Sequence, residues 1–292
     1  MVISASRRTD IPAYYAEWFL ARLAAGSFRY PNPVSGAPVE IDCTPSNVEA
    51  FVFWTRNPAP FWEALEEVDR RYEGRRYMHF TINGMPRALE PRNPATDAAI
   101  ATFRRLADRF GDDYAIWRYD PIVLSDATPP ERAIETFSEI AARLEGATHE
   151  CVVSFVRWYR KTRRNAEALS RRTGVRFREP SAEEKAEIAR ELRRIAEARG
   201  MTLKACAEED AVVAETAGRA ACIDSERINR LTGAVKNRRV VATRPGCLCV
   251  ESRDIGYYDS CPHGCVYCYS NDSPEKALAN ARRYRREGFP LG

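Results

Sequence analysis

Three cysteines near the end of the chain, Cys261, Cys265 and Cys268, lie in the segment Cys-Pro-His-Gly-Cys-Val-Tyr-Cys-Tyr. C-x3-C-x2-C, with an aromatic residue just before the third thiol, is a spacing that holds a [4Fe–4S] cluster by three thiolates and leaves one iron open. A fully ligated cluster uses four cysteines, so the open iron is where chemistry can happen. Structural zinc also takes four ligands, and His263 offers a fourth; a chance spacing with no metal is the remaining reading. Pro262 and Gly264 favour a compact loop wrapped around a metal.

Four further cysteines precede this motif: Cys206, Cys222, Cys247 and Cys249. Four thiolates can hold a second cluster or a closed structural zinc, with Cys247 and Cys249 as the first candidates. The gaps between them are long, so the fold must bring them together. The alternative is that Cys206 and Cys222 are small buried apolar residues. Cys151, followed by Val152-Val153-Ser154-Phe155, and Cys43 read as structural.

The chain has 292 residues, of which nine are Cys, and a net charge of +4. An odd cysteine count argues against a complete disulfide framework, and clustered thiols in a reducing compartment are metal ligands more often than disulfides. The hydrophobic share of 45% and charged share of 29% are those of an ordinary globular protein. No apolar run has the length of a membrane span, and the first residues enter a strand-like segment rather than a secretory leader. A cytoplasmic protein with no membrane partner is expected. Forty of the 45 basic residues are Arg. Nine basic residues between Arg157 and Arg178 face a single acid, Glu167. Such a stretch can attract phosphate or nucleic acid, but a solvated helix face is the favoured reading.

These residues need a frame. Strand-like segments occur at Val2–Ser6, Ala50–Trp54, Tyr77–Ile82, Tyr114–Arg118, Cys151–Val156 and Thr202–Cys206. Amphipathic stretches at about 12–24, 59–72, 95–110, 129–145, 160–173 and 181–199 alternate with them. Ser181-Ala182-Glu183-Glu184 is a capping box, glycines such as Gly174 and Gly200 stand where helices should stop, and Pro58, Pro94 and Pro129 stand at helix starts. Strands separated by helices predict a parallel sheet with right-handed crossovers. The expectation is an α/β fold, a (β/α)6–8 barrel or partial TIM-like barrel over 1–206, with a cysteine-rich metal-binding segment, 207–292, packed on it. A doubly wound open sheet is the competing architecture.

In parallel α/β proteins the carboxyl ends of the strands form the active-site face. The residues there are Ser6-Arg7-Arg8-Thr9-Asp10, Thr55-Arg56-Asn57-Pro58, Asn83-Gly84, Arg118-Tyr119-Asp120-Pro121, Arg157-Trp158-Tyr159-Arg160 and Glu208-Glu209-Asp210. Arginines can clamp a carboxylate or phosphate through paired hydrogen bonds. Taken together on one rim they point to an anionic ligand. Arg7, Asp10, Arg118 and Asp120 are the candidate catalytic residues, and Arg56, Asn57, Arg157 and Tyr267 the candidate cofactor-binding residues. His79 alternates with apolar neighbours in a strand and reads as a satisfied core or rim histidine.

Cys261, Cys265, Tyr267 and Cys268 resemble the radical SAM motif, C-x3-C-x-aromatic-C. That resemblance implies a partial (β/α)6 barrel and S-adenosylmethionine chelated to the open iron. It also implies reductive cleavage to a 5′-deoxyadenosyl radical, with flavodoxin or ferredoxin as electron donor. Radical SAM proteins place these cysteines after the first strand, whereas here they follow the sixth unit. No glycine-rich Gly-Gly-Glu segment follows the second strand. The set Ser6-Arg7-Arg8-Thr9-Asp10-Ile11-Pro12, Phe53-Trp54-Thr55-Arg56-Asn57-Pro58, Arg118-Tyr119-Asp120-Pro121 and Asp254-Ile255-Gly256-Tyr257 resembles the prokaryotic family called domain of unknown function 1848 across nearly the whole chain. This brings a fold and a cluster expectation but no substrate. The leading reading is thus an iron–sulfur enzyme acting on an anionic substrate. The alternatives are a zinc-stabilised barrel that binds nucleic acid or a phosphorylated ligand, and a cluster-independent barrel hydrolase using Asp10, Asp120 and Glu208.

Overall fold

The computed structural model describes residues 1–5, 7–32 and 35–287; Ser6, placed by its sequence at the end of the first strand, lies outside them. The strands are β1 (Val2–Ala5), β2 (Ser27–Pro31), β3 (Pro38–Asp42), β4 (Ala50–Thr55), β5 (Arg76–Thr81), β6 (Ala115–Ile122), β7 (Leu124–Ser125), β8 (Glu150–Phe155), β9 (Phe177–Arg178), β10 (Thr202–Ala205) and β11 (Arg253–Asp254). The helices are α1 (Ile11–Tyr14), α2 (Ala16–Ala24), α3 (Trp62–Tyr72), α4 (Thr96–Phe110), α5 (Pro130–Leu144), α6 (Arg160–Thr173), α7 (Ala182–Glu197), α8 (Ala211–Ala217), α9 (Ser225–Thr232) and α10 (Pro274–Glu287).

Seven strands form one parallel sheet in the order β10-β8-β6-β5-β4-β1-β11. From β1 to β10 each new strand joins the outer edge of the one before, so the sheet winds in one direction without a reversal. β11 then returns to the free side of β1, with Ser4 opposite Asp254. Among the described residues no ladder joins β10 to β11, so this is a parallel sheet with flanking helices and no demonstrated closure.

Both faces of the sheet are buried, which explains why its strands read as near-continuous apolar runs rather than strict alternation. Alternate residues serve different partners. Phe51, Phe53, Met78, Phe80, Trp117 and Val153 pack under the helices; Phe19 of α2 meets Phe51 and Phe53 at ring separations of 5.8 and 5.9 Å. The opposite face presents Val2, Val52, Tyr77, Ile116 and Val152, and among the described residues no long helix covers it. It packs instead against the segment carrying Cys206, Cys222, Ile223, Cys247, Cys249 and Val250. This second layer positions the chemistry, because it seats four cysteines directly on the sheet.

Local signals acted as their types dictate. Ser181 Oγ accepts a hydrogen bond from Glu184 N–H at 3.2 Å and starts α7, while the Glu184 carboxylate turns outward to meet Arg178. The stretch expected to be one helix over 12–24 is broken at Tyr15. The reason lies in the tertiary structure: Tyr15 is buried, and its hydroxyl donates to Ser260 O at 2.5 Å, tying this bend to the cysteine-bearing loop. No helix among the described residues is long and apolar enough to cross a membrane.

Candidate functional site

Asp10 organises the first part of the site. Its Oδ1 accepts from Ala13 N at 3.0 Å and so caps α1, and its Oδ2 accepts from Arg56 N at 2.8 Å. His263 Nε2, inside the cysteine motif, lies 2.8 Å from the same Oδ2, and Tyr14 OH stands 3.1 Å from His263 Nδ1. The carboxyl ends of β1 and β4 and the Cys261–Cys268 loop therefore meet at one carboxylate. His263 is spent on this contact. Asp10, expected to be catalytic, has Oδ1 engaged in capping α1 and Oδ2 shared between the Arg56 amide and His263 of the loop.

Beyond it, Arg56 Nη1 donates to Glu90 Oε1 at 2.7 Å and Nη2 to Tyr267 OH at 2.9 Å. Tyr267 OH donates in turn to Glu90, and Asn83 Nδ2 reaches Glu90 Oε1 at 3.2 Å and Asp120 O at 3.2 Å. Burial alone would raise the Glu90 carboxyl. The Arg56 guanidinium and the Tyr267, Asn93 and Asn83 donors outweigh it and hold the group below the usual carboxylate range. The hydroxyl of the motif's aromatic thus enters a buried charge network. A cleft of ≈ 240 Å³ beside this network is lined in part by Arg56, Asn83, Arg87, Glu90 and Asn93.

Cys261, Cys265 and Cys268 are electrostatic neighbours of one another. Burial pushes the Cys265 thiol up to about 12, with Arg56 pulling against it, and lifts Cys261 well above the usual thiol range. Metal binding here must therefore displace protons. Among the described residues no three Cys, His, Asp or Glu side chains converge on one point as the shell of a single ion. A cubane cluster makes a different demand, since its thiolates bind separate irons and stand apart around the cluster. The donor set fits such a group in number, type and mutual proximity.

On the sheet face between the two groups of cysteines stand three arginines. Arg118 donates to Asp120 Oδ2 through Nε at 3.0 Å and to Cys222 Sγ through Nη1 at 3.0 Å. Ser154 Oγ donates to the other Asp120 oxygen. Burial by itself would raise the Asp120 carboxyl, but Arg118 and Ser154 keep it below its ordinary value. Arg7 lies over the Trp54 ring, 5.6 Å from its centroid, with its Nη2 buried and lacking a hydrogen-bond partner. Arg244 reaches Cys206 Sγ at 3.6 Å. His79 is buried, with Nε2 2.7 Å from Cys222 O and its ring stacked on Trp54.

The structure therefore gathers Arg7, Asp10, Arg56, Arg118, Asp120 and Tyr267 about the carboxyl ends of the strands with the Cys261–Cys268 loop, and Cys206, Cys222, Cys247 and Cys249 on the adjoining sheet face. It does not gather Arg157 or Asn57. Arg157 is paired with Glu209 at 3.0 Å, and Asn57 receives Ala59 N–H at 3.3 Å as a local turn. Five of the nine basic residues between Arg157 and Arg178 have acidic partners: Arg157, Arg163, Arg164, Arg176 and Arg178. Glu90, Asn93 and Arg244 were not legible as site residues. Glu90 lies in an unremarkable Leu-Glu-Pro, and Arg244 is one of forty arginines.

A family model described as a domain of unknown function, DUF1848, matches residues 2–270. This chain belongs to the DUF1848 family. The match takes in every residue placed at the site above. No curated protein matches the chain. Among solved structures, this DUF1848 chain is similar to a crystal structure provisionally assigned as an alpha-L-fucosidase from Bacteroides thetaiotaomicron. The identity is 10%, the TM-score 0.38, and the match covers 82% of this chain and 67% of that one. A likeness so slight carries no argument about this DUF1848 protein.

Proposed function

We propose that this protein is an iron–sulfur enzyme of radical SAM-like type. Cys261, Cys265 and Cys268 would hold a [4Fe–4S] cluster with one open iron, at the carboxyl ends of a sheet that we read as a partial barrel. The observation that carries the reading is the tethering of the cysteine loop. His263 is held by Asp10, and Tyr267 by Arg56 and Glu90, so the three thiols are presented as a group rather than on a free tail. When bound and reduced, such a cluster supplies one-electron cleavage of a carbon–sulfur bond in S-adenosylmethionine. The chain's own residues bind and orient. Arg7, with an unpartnered buried Nη2, and Arg244 offer guanidinium donors to a carboxylate or phosphate on the cofactor or an anionic substrate. Trp54 and Tyr269 provide aromatic surface beside them. Asp120, held ionised by Arg118, keeps that guanidinium in place. The reading implies a reducing, cytoplasmic compartment and a small electron-carrier partner of the flavodoxin or ferredoxin kind.

The test is anaerobic reconstitution with iron and sulfide, followed by dithionite reduction with S-adenosylmethionine. The expected result is a brown protein that releases 5′-deoxyadenosine, with both properties lost in Cys265→Ser. A brown protein that releases none would overturn the use of S-adenosylmethionine and leave an electron-transfer role. A colourless product would overturn the cluster itself.

A further inference from the structure

The four cysteines that do not belong to the C-x3-C-x2-C motif come from three separated segments. Cys206 follows β10, Cys222 lies between α8 and α9, and Cys247 and Cys249 precede β11. The fold nevertheless puts them in a line of contacts. Cys206 Sγ and Cys222 Sγ are 3.2 Å apart, and the thiols of Cys222 and Cys249 and of Cys249 and Cys247 are hydrogen-bonding neighbours. All four are buried and none is in a disulfide.

Each sulfur also receives its own donor. Arg118 Nη1 points at Cys222 Sγ at 3.0 Å, Arg244 Nη2 at Cys206 Sγ at 3.6 Å, Ile223 N at Cys249 Sγ at 3.4 Å and Thr243 Oγ1 at Cys247 Sγ at 3.6 Å. Neutral thiols are weak acceptors. Four of them, each met by a separate N–H or O–H, are an arrangement suited to thiolates, whose negative charge rewards such donors. Four thiolates around a divalent ion carry a net charge of −2, and Arg118 and Arg244 supply two positive charges beside them, the former shared with Asp120.

We infer that Cys206, Cys222, Cys247 and Cys249 form a tetrathiolate site for a single thiophilic divalent ion of the zinc type, separate from the Cys261–Cys268 loop. A tetrahedral shell with metal–sulfur bonds near 2.3 Å has sulfur–sulfur edges of about 3.8 Å. The Cys206–Cys222 separation of 3.2 Å is shorter than that edge by about 0.6 Å, so the two sulfurs must part slightly to take an ion. It is well beyond the roughly 2.05 Å of a disulfide. Three of the six edges of a tetrahedron are present as contacts. The remaining three each run to Cys206 or Cys247, so closing the shell requires side-chain rotation at those two residues. That rotation is needed, because among the described residues no three ligand side chains already meet at one point. The ion's role is structural: it fastens three chain segments onto the sheet face that no long helix covers, and it fixes Arg118 and Arg244 through their bonds to its ligands.

Cobalt(II) tests the site, since a tetrathiolate shell gives it intense visible ligand-field and sulfur charge-transfer bands. Full-length protein stripped with a chelator under reducing, anaerobic conditions is titrated with cobalt chloride alone. Wild type and the Cys261→Ser/Cys265→Ser/Cys268→Ser variant are each expected to bind one tetrahedral cobalt, displaced by one equivalent of zinc. Cys247→Ser/Cys249→Ser is expected to lose the bands. To separate loss of ligands from a folding defect in that variant, zinc X-ray absorption of the triple-serine variant provides a second reading, with four sulfurs expected around the metal. Loss of the bands in the triple-serine variant, a shell containing nitrogen or oxygen, or loss of two free thiols to a disulfide without bound metal would each overturn the inference. These outcomes are distinct from failure of iron–sulfur reconstitution, which reads the other three cysteines.

Discussion

Replacing Glu90 by glutamine removes one negative charge from a place where a guanidinium has little else to balance it. Arg56 and Glu90 side chains are 15% and 6% exposed, so water cannot compensate. Removing one partner of a buried ion pair costs about 3–5 kcal/mol. Glutamine keeps one acceptor for Arg56 Nη1, which places the expected loss at the low end, about 3 kcal/mol. For a chain of this size that corresponds to a fall in melting temperature of roughly 5 °C. The double change Arg56→Met/Glu90→Leu removes both charges and should recover only part of the loss, since apolar replacements of buried pairs are often neutral but the Tyr267, Asn83 and Asn93 donors lose their acceptor. The pH dependence has a definite sign. The Glu90 carboxyl titrates below its ordinary range, so its contribution is fully present above about pH 4.3 and disappears as the pH falls through the lowered value. The gap between wild type and Glu90→Gln should therefore narrow in acid. Urea unfolding at pH 7 and at pH 3.5 measures both effects. A Glu90→Gln protein within about 1 kcal/mol of wild type at pH 7, or a gap that widens in acid, would refute this account of the network.

Asp10→Asn should cost about 1–3 kcal/mol, because its amide donor must face either Ala13 N–H or the Arg56 N–H and His263; chemical denaturation reads the loss. Gly246→Ala should destabilise by about 2 kcal/mol, since φ is +76° there and an added Cβ would meet backbone atoms of Ala207 and Glu208 at 3.2 Å. The same change should weaken cobalt binding by displacing Cys247. Arg163→Ala and Arg178→Ala, which break exposed pairs, should each shift stability by less than about 1 kcal/mol in the same unfolding assay.

Much of the frame could be read from residue order. The six strands expected from apolar runs all lie in the parallel sheet, because strands buried on both faces need continuous hydrophobicity and little else. The antiparallel hairpin β2–β3 and the two-residue strand β11 were missed; β11 is defined by where it docks, beside Ser4, rather than by its own composition. The same division holds at the site. Cysteines, and arginines following strands, announce themselves by type. Glu90 and Arg244 do not, since a carboxylate or guanidinium becomes part of a site only when the fold buries it beside a partner. Asp10 shows the reverse case, a conspicuous rim carboxylate whose oxygens are taken up by an N-cap, a backbone amide and His263.

The pairing of β11 with β1 sets an order of assembly. Ser4 and the Arg7 amide bind Asp254 across 250 and 247 residues of chain, among the longest loops the molecule closes. Contacts of such separation form late in folding, because the entropy of the intervening chain must be lost first. During synthesis the sheet from β1 to β10 can grow strand by strand, yet one side of β1 stays open until the end. The thiols of the Cys261–Cys268 loop thus arrive on a scaffold that is already folded, so under the proposed function metal loading would close maturation rather than nucleate it.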